Sequence, residues 1–155
     1  MLRRLFPERL DNAYTGHPLG LWLFGLVVAA RILQAAVVTF DTASVAKSAD
    51  GIPLDTFGPA AAQAVVSLFA LTGIYRLVIG VLCVLVLVRY RNAVALMCAL
   101  LVLESIAKVV HQRLAPLATG TPPGPYVNLT LSGLLLVSLV LALWPRRRAQ
   151  AKEAR

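Results

Sequence analysis

The sequence is poor in charged residues, and acidic residues are the scarcest of them. Charged residues make up 14% of the 155, whereas a typical soluble domain has about a quarter. Apolar residues make up 59%. They gather in long runs separated by short charged segments, which indicates membrane-spanning helices rather than a soluble core. The net charge of +8 then fits basic residues flanking such helices, and we expect no nucleic-acid binding.

The sequence also lacks the usual signatures of catalytic and metal sites. It contains no nucleotide-binding loop, no zinc-ligand spacing and no nucleophile elbow. Its two cysteines, Cys83 and Cys98, lie in apolar segments on either side of the turn at residues 89–91. We expect them at one depth as small buried residues, not as a redox pair. The sequence predicts no metal site and no catalytic residue, and it identifies no cofactor.

Four apolar segments are each long enough to cross a hydrocarbon core of roughly 30 Å. They are separated by a loop at residues 41–59, a charged turn at 89–92 and a Pro- and Gly-rich stretch at 118–125. We predict an all-α integral membrane bundle of four transmembrane helices with up-down-up-down topology, in one domain of residues 1–155. The predicted spans are residues 19–40, 60–88, 93–113 and 126–144.

Two basic tails, residues 1–18 and 145–155, flank the predicted spans. The first contains alternating apolar and charged residues, so it could be a short amphipathic turn on the membrane surface or a basic tail. A secretory signal peptide is not expected, because the apolar run at residues 19–40 is too long and contains Arg31.

The distribution of Lys and Arg predicts the orientation of the bundle. Lys47 and Arg113 are on the side of the 41–59 loop, and three more basic residues are inside the spans. The other ten of the 15 lie beside the termini and the 89–91 turn, which places both termini in the cytoplasm. These ten are Arg3, Arg4, Arg9, Arg89, Arg91, Arg146, Arg147, Arg148, Lys152 and Arg155.

Three charged residues are predicted near the middle of the membrane. At the rise of an α-helix, Arg31, Arg76 and Glu104 lie about 17, 20 and 18 Å from the cytoplasmic ends of their spans. A charge at this depth costs about 2.5–3.5 kcal/mol on insertion scales, so it usually has a partner and a function. We therefore expect these three side chains to converge.

Further polar residues extend this group toward the outer surface. Glu104, Lys108 and His111 are spaced i, i+4 and i+7 on one helical face. Gln34 and Asp41 share a face of the first span, and Thr72 lies one turn from Arg76. We predict a polar core in the outer half of the bundle, whereas the inner half should be dry and closed.

Two interpretations of the polar core remain open. In the first it is a structural network in which Glu104 bridges Arg31 or Arg76, and Asp41 pairs with Lys108. In the second it is a binding pocket, since one positive charge is left over and a bound anion would compensate it. The candidate ligand-binding residues are Arg31, Gln34, Asp41, Thr72, Arg76, Glu104, Lys108 and His111.

The function expected from this pocket is binding of an anionic or amphipathic ligand, such as a lipid, a quinone or a carboxylate. The protein could then be an accessory subunit of a membrane complex. The alternatives are a small transporter or proton-coupled carrier that uses the Glu104, Lys108 and His111 face, and an intramembrane enzyme acting on lipids or quinones. Expected partners are the bilayer, a membrane protein or a second copy. Oligomerisation stays open, since the small-xxx-small spacing of Gly16 and Gly20 is common by chance in apolar helices.

The layout resembles that of small four-helix bacterial membrane proteins of the DoxX-like kind. Residues 104–128, with the Thr-Pro-Pro-Gly turn at 121–124, are similar to stretches of uncharacterised bacterial inner-membrane proteins. The resemblance implies a multi-pass protein of the bacterial inner (cytoplasmic) membrane. It implies no catalytic residue.

Overall fold

The computed structural model describes residues 5–115 and 123–144. The predictions for the tail at 145–155 and for most of the Pro- and Gly-rich stretch fall outside these residues. All regular structure in the described part of the chain is helical. It consists of α1 (Pro18–Phe40), α2 (Thr42–Ser48), α3 (Pro59–Arg89), α4 (Val94–Leu114) and α5 (Gly124–Leu143), with 3-10 turns at Leu54–Thr56 and Arg91–Ala93.

Four of these helices are long and apolar enough to cross a membrane, namely α1, α3, α4 with its preceding turn, and α5. This confirms the predicted fold class. Their bounds differ from the predicted spans by at most two residues. Proline occupies the first turn of α1, α3 and α5, where its missing N–H costs no hydrogen bond.

The prediction of a plain loop at residues 41–59 was wrong, because this segment contains the short helix α2. The Thr42 hydroxyl donates a hydrogen bond to the Val38 carbonyl at 2.8 Å. The Ala46 side chain is fully buried. These contacts hold α2 on the end of the bundle between α1 and α3.

The four long helices alternate in direction, as predicted. Gly80 of α3 packs against Ile32 of α1, whereas the earlier residue Gly73 packs against the later residue Thr39. The two helices α1 and α3 are therefore antiparallel. We call the end with the Arg91–Ala93 turn the turn end. The opposite end, with residues 41–58, is the loop end.

The spatial order of the helices is α3, α1, α5, α4, with α1 in a central position. The tight turn between α3 and α4 does not make them close neighbours along their length, because α3 packs mainly on α1 and α4 mainly on α5. Since the turn holds α3 and α4 together at one end, the two helices diverge toward the loop end.

The half of the bundle at the turn end is tightly packed and apolar. Its fully buried side chains include Phe24, Val27, Cys98 and Leu135. The one polar side chain among them, Ser138, donates a hydrogen bond to the Gly20 carbonyl at 2.8 Å. This arrangement agrees with the predicted dry half of the membrane domain.

The segment before α1 crosses the turn end of the bundle. Asn92 donates from Nδ2 to the Arg9 carbonyl at 2.6 Å, and the His17 N–H donates to the Leu141 carbonyl at 3.0 Å. The partly buried Tyr14 packs against the apolar core, and burial raises its pKa to about 12. In its described part the segment is therefore an ordered tail rather than a frayed one, since tertiary contacts hold it in place. The amphipathic turn stays a prediction, because its first residues lie outside the described part.

The small-xxx-small pair has an intramolecular role. A Cβ at Gly16 would lie 2.5 Å from the Ala142 carbonyl oxygen, and a Cβ at Gly20 would lie 3.0 Å from the Leu141 Cβ. Both glycines therefore allow α5 to approach the start of α1. The proposal that they mediate contact with a second copy loses its basis, because α5 of the same chain occupies their surface.

Candidate functional site

A cavity of about 1000 Å³ lies in the loop-end half of the bundle. It occupies the space left where α3 and α4 diverge, and side chains of α1 and α5 complete its wall. Six of the eight predicted ligand-binding residues line it: Arg31, Gln34, Arg76, Glu104, Lys108 and His111. The structure thus brings together most of the residues that the sequence selected.

Glu104 is the centre of an ion-pair network on one side of the cavity. Arg31 donates from one guanidinium nitrogen to Glu104 at 2.8 Å and from the other to the Ser105 hydroxyl at 3.0 Å. Lys108, one turn along α4, bonds the second carboxylate oxygen of Glu104. The carboxylate is therefore shared by two cations. The predicted bridge from Glu104 to Arg31 is present.

Arg76 stands apart from this network, although it lines the same cavity. Its Nε is buried and has no hydrogen-bond partner. Within residues 5–115 and 123–144, no salt bridge reaches its guanidinium group. Arg76 is thus a cation at mid-depth whose hydrogen-bonding capacity is unused by the described residues.

Asp50 is a cavity-lining acid that the sequence analysis missed. Burial raises the pKa of its carboxyl group, and the nearby charge of Arg76 opposes this shift. The two groups form no salt bridge. Asp50 therefore compensates Arg76 only weakly. The sequence did not distinguish Asp50 from the other two acids of the same polar segment. Its position beside the cavity depends on the way α2 packs on the bundle.

Asp41 and Thr72 lie outside the cavity lining, unlike the other six predicted residues. Asp41 is exposed at the end of α1, and the expected pair of Asp41 with Lys108 is not formed because Lys108 bonds Glu104. Thr72 is exposed, and its hydroxyl donates to the Leu68 carbonyl of its own helix at 3.0 Å. Asp41 follows the last residue of α1 with a non-helical backbone, so its i, i+7 relation to Gln34 does not hold.

His111 lies on the cavity wall near the loop end and is exposed. In the described part of the chain, no group of three or more His, Cys, Asp or Glu side chains could hold a metal ion. His111 is therefore one polar group among several at the mouth of the cavity.

The cavity wall combines a cationic region with a large apolar region. Three formal cations, Arg31, Arg76 and Lys108, face two acids, Glu104 and Asp50, so one positive charge is in excess. Apolar side chains from all four long helices form the remaining wall. They include Val28, Phe69, Ile79, Leu101, Val102, Leu129 and Leu136.

The chain matches no family model, no curated protein and no solved structure in comparisons with each. The fold and the cavity define its class, which is a four-helix multi-pass membrane protein with a charged cavity in one half.

Proposed function

We propose that this protein binds an anionic or amphipathic ligand, such as a lipid, a quinone or a carboxylate, in the cavity between α3 and α4. The observation that carries the proposal is Arg76. A cation at mid-depth in a membrane protein is costly unless an anion or hydrogen-bond acceptor compensates it. No described residue forms a salt bridge or a hydrogen bond with its guanidinium group, and Asp50 compensates its charge only weakly. A ligand anion in the cavity would supply both.

The ion-pair network around Glu104 strengthens this assignment. Glu104 accepts from Arg31 and from Lys108, so both of its carboxylate oxygens are bonded to cations other than Arg76. The two interpretations of the polar core thus apply to different residues. Glu104 with its two cations forms a structural network, whereas Arg76 is available to a ligand. Its planar guanidinium fork suits a carboxylate or a phosphate.

Replacing Arg76 by Gln is expected to abolish the retention of an anionic ligand. The wild-type protein, purified in a mild neutral detergent, should carry a small molecule or lipid visible in native mass spectrometry. The matched control is Arg89→Gln, which removes a positive charge from the exposed end of the same helix. It should retain the ligand at the wild-type level.

Two results would contradict this proposal. One is an R76Q protein that keeps the same ligand, which would remove Arg76 from the site. The other is a wild-type protein that retains no anion even after incubation with phosphatidylglycerol. In that case the charged core would be purely structural, and the accessory-subunit role would rest on protein contacts alone.

Transport and catalysis receive less support than binding. A transport path would have to pass the turn-end half, which is filled by buried side chains such as Phe24 and Leu135 and crossed by the segment before α1. An intramembrane enzyme would need a nucleophile with a base in the cavity. The lining contains Ser105, whose hydroxyl donates to the Leu101 carbonyl at 2.8 Å and is thus engaged in its own helix.

We further propose that the turn end faces the cytoplasm of a bacterium and that the protein lies in the inner membrane. The bias of Lys and Arg toward this end supports the orientation. A single cysteine introduced at exposed Asp55 of the loop end, in a Cys83→Ser/Cys98→Ser background, should react with a membrane-impermeant maleimide in intact cells. A cysteine at exposed Asn12 should react only after lysis. The reverse pattern would invert the orientation.

A further inference from the structure

We infer that the ligand is an anionic amphiphile with an acyl chain, and that it enters from the membrane leaflet at the loop end through the gap between α3 and α4. This inference rests on the proposed function and assigns the chemical class of its ligand. It follows from the direction of the opening, the length of the cavity and the division of its wall into a cationic and an apolar region.

The opening lies on the side of the bundle, where the bilayer would be. Because α3 packs on α1 while α4 packs on α5, no helix of the described residues closes the space between the loop-end halves of α3 and α4. The lining on the two sides of this gap includes Phe69 and Ile79 on α3 and Ile106 and Val109 on α4, and the last three are exposed. These apolar side chains suit contact with acyl chains, whereas polar groups such as His111 lie further toward the loop end.

The cavity has the length of one leaflet. Its lining on α4 extends from Leu101 to Gln112, and that on α5 from Pro125 to Leu136. Each stretch covers about 16 Å at the rise of an α-helix. This equals about half of the roughly 30 Å hydrocarbon core. The cavity therefore extends over about the depth of one leaflet, and a ligand that enters from that leaflet does not need to cross the packed turn-end half.

The charged and the apolar side chains of the cavity wall also lie in separate regions, which suits the charged head and the apolar chain of an amphiphile. Arg76, Lys108 and His111 lie from mid-depth toward the loop end, whereas Val28, Cys83, Leu101 and Leu136 line the deeper part. An anionic head at Arg76 would leave its chain against these apolar side chains or in the gap. A small free anion would bind Arg76 but would make no contact with the apolar part of the wall.

The test compares two ligands with one head group, dodecyl phosphate and inorganic phosphate. Each is added to protein in phosphatidylcholine nanodiscs and measured by native mass spectrometry. We expect the wild type to retain dodecyl phosphate at least about ten-fold better than inorganic phosphate at equal concentration. Leu136→Trp should lower the retention of dodecyl phosphate by about ten-fold, because the larger side chain fills the apolar part of the cavity.

Val137→Trp is the matched control, since Val137 is the next residue on α5, is equally exposed and is absent from the cavity lining. It should retain dodecyl phosphate like the wild type. Equal losses in both tryptophan variants would overturn the placement of the chain. If Leu136→Trp fails to fold, the comparison of dodecyl phosphate with inorganic phosphate on the wild type is sufficient to test the inference.

The outcomes separate this inference from the proposed function. Inorganic phosphate that binds as well as dodecyl phosphate, and is lost in R76Q, would overturn the inference and leave the anion site intact. Loss of dodecyl phosphate in both R76Q and Leu136→Trp, but not in Val137→Trp, would support both. If neither ligand binds in a way that depends on Arg76, both the inference and the proposed function would be overturned.

Discussion

Glu104→Ala is expected to lower the free energy of unfolding by about 3 kcal/mol, the lower end of the range for breaking a buried ion pair. Glu104 is the only carboxylate that bonds Arg31 in the described structure, at 2.8 Å, and the Arg31 side chain is only 23% exposed. Without Glu104 the guanidinium group would stay within the membrane domain unpaired. Unfolding in dodecyl maltoside with increasing sodium dodecyl sulfate, followed by circular dichroism, measures the change.

The double variant Arg31→Met/Glu104→Met should recover most of this loss. Removing both partners leaves no unpaired guanidinium group at this position, and apolar side chains of similar volume can pack in place of the pair. Lys108 loses its partner in both variants, but it is 47% exposed and can extend its ammonium group toward the loop end. Recovery in the double variant would therefore identify Arg31 as the cause of the loss.

Asp55→Ala is the matched control for Glu104→Ala. Asp55 forms the salt bridge with Lys47, but its side chain is 74% exposed, and exposed pairs contribute little to stability. We expect no measurable change. A Glu104→Ala protein as stable as the wild type would show that the network is not structural, and Glu104 would then become a candidate ligand residue beside Arg76.

Gly16→Ala is expected to lower stability by about 1–3 kcal/mol, the usual cost of overpacking a tight contact. The added Cβ would lie 2.5 Å from the carbonyl oxygen and 2.8 Å from the Cα of Ala142. Both are backbone atoms, so no side-chain rotation can make room. The segment before α1 and the end of α5 must separate, which also strains the hydrogen bond from His17 to the Leu141 carbonyl.

Gly133→Ala provides the control for Gly16→Ala, because it makes the same chemical change on α5. A Cβ at Gly133 has no heavy-atom neighbour within 4 Å. Alanine also has a higher helix propensity than glycine by up to about 1 kcal/mol. We expect unchanged or slightly higher stability in thermal unfolding monitored by size-exclusion chromatography. A similar loss in both variants would contradict the close approach of α1 and α5.

The convergence of charged residues could be predicted because helical rise is constant. Counting residues from the span ends placed Arg31, Arg76 and Glu104 at one depth, and all three line the cavity. Partner choice could not be derived in the same way. Lys108 pairs with Glu104 rather than with Asp41, since an i, i+4 neighbour on its own helix is available regardless of how the helices rotate.

The role of residues 5–17 depended on contacts distant in sequence. Alternating apolar and charged residues suggested a surface turn or a tail. The partners of this segment, Asn92 and Leu141, lie about 80 and 120 residues further along the chain. No local sequence pattern indicates these two partners. The same applies to Asp50, which approaches Arg76 only because α2 packs between α1 and α3.

The sequence by itself determined the number, bounds and alternating direction of the spans, because a lipid environment demands long apolar helices whose backbone groups bond within each helix. It also placed the charged residues in one half of the membrane domain. Only the tertiary structure decided which helices pack together, and hence where the cavity opens. Helix pairing within lipid depends on shape, as in the close approach of Gly73 and Gly80 to α1, and apolar composition does not encode that choice.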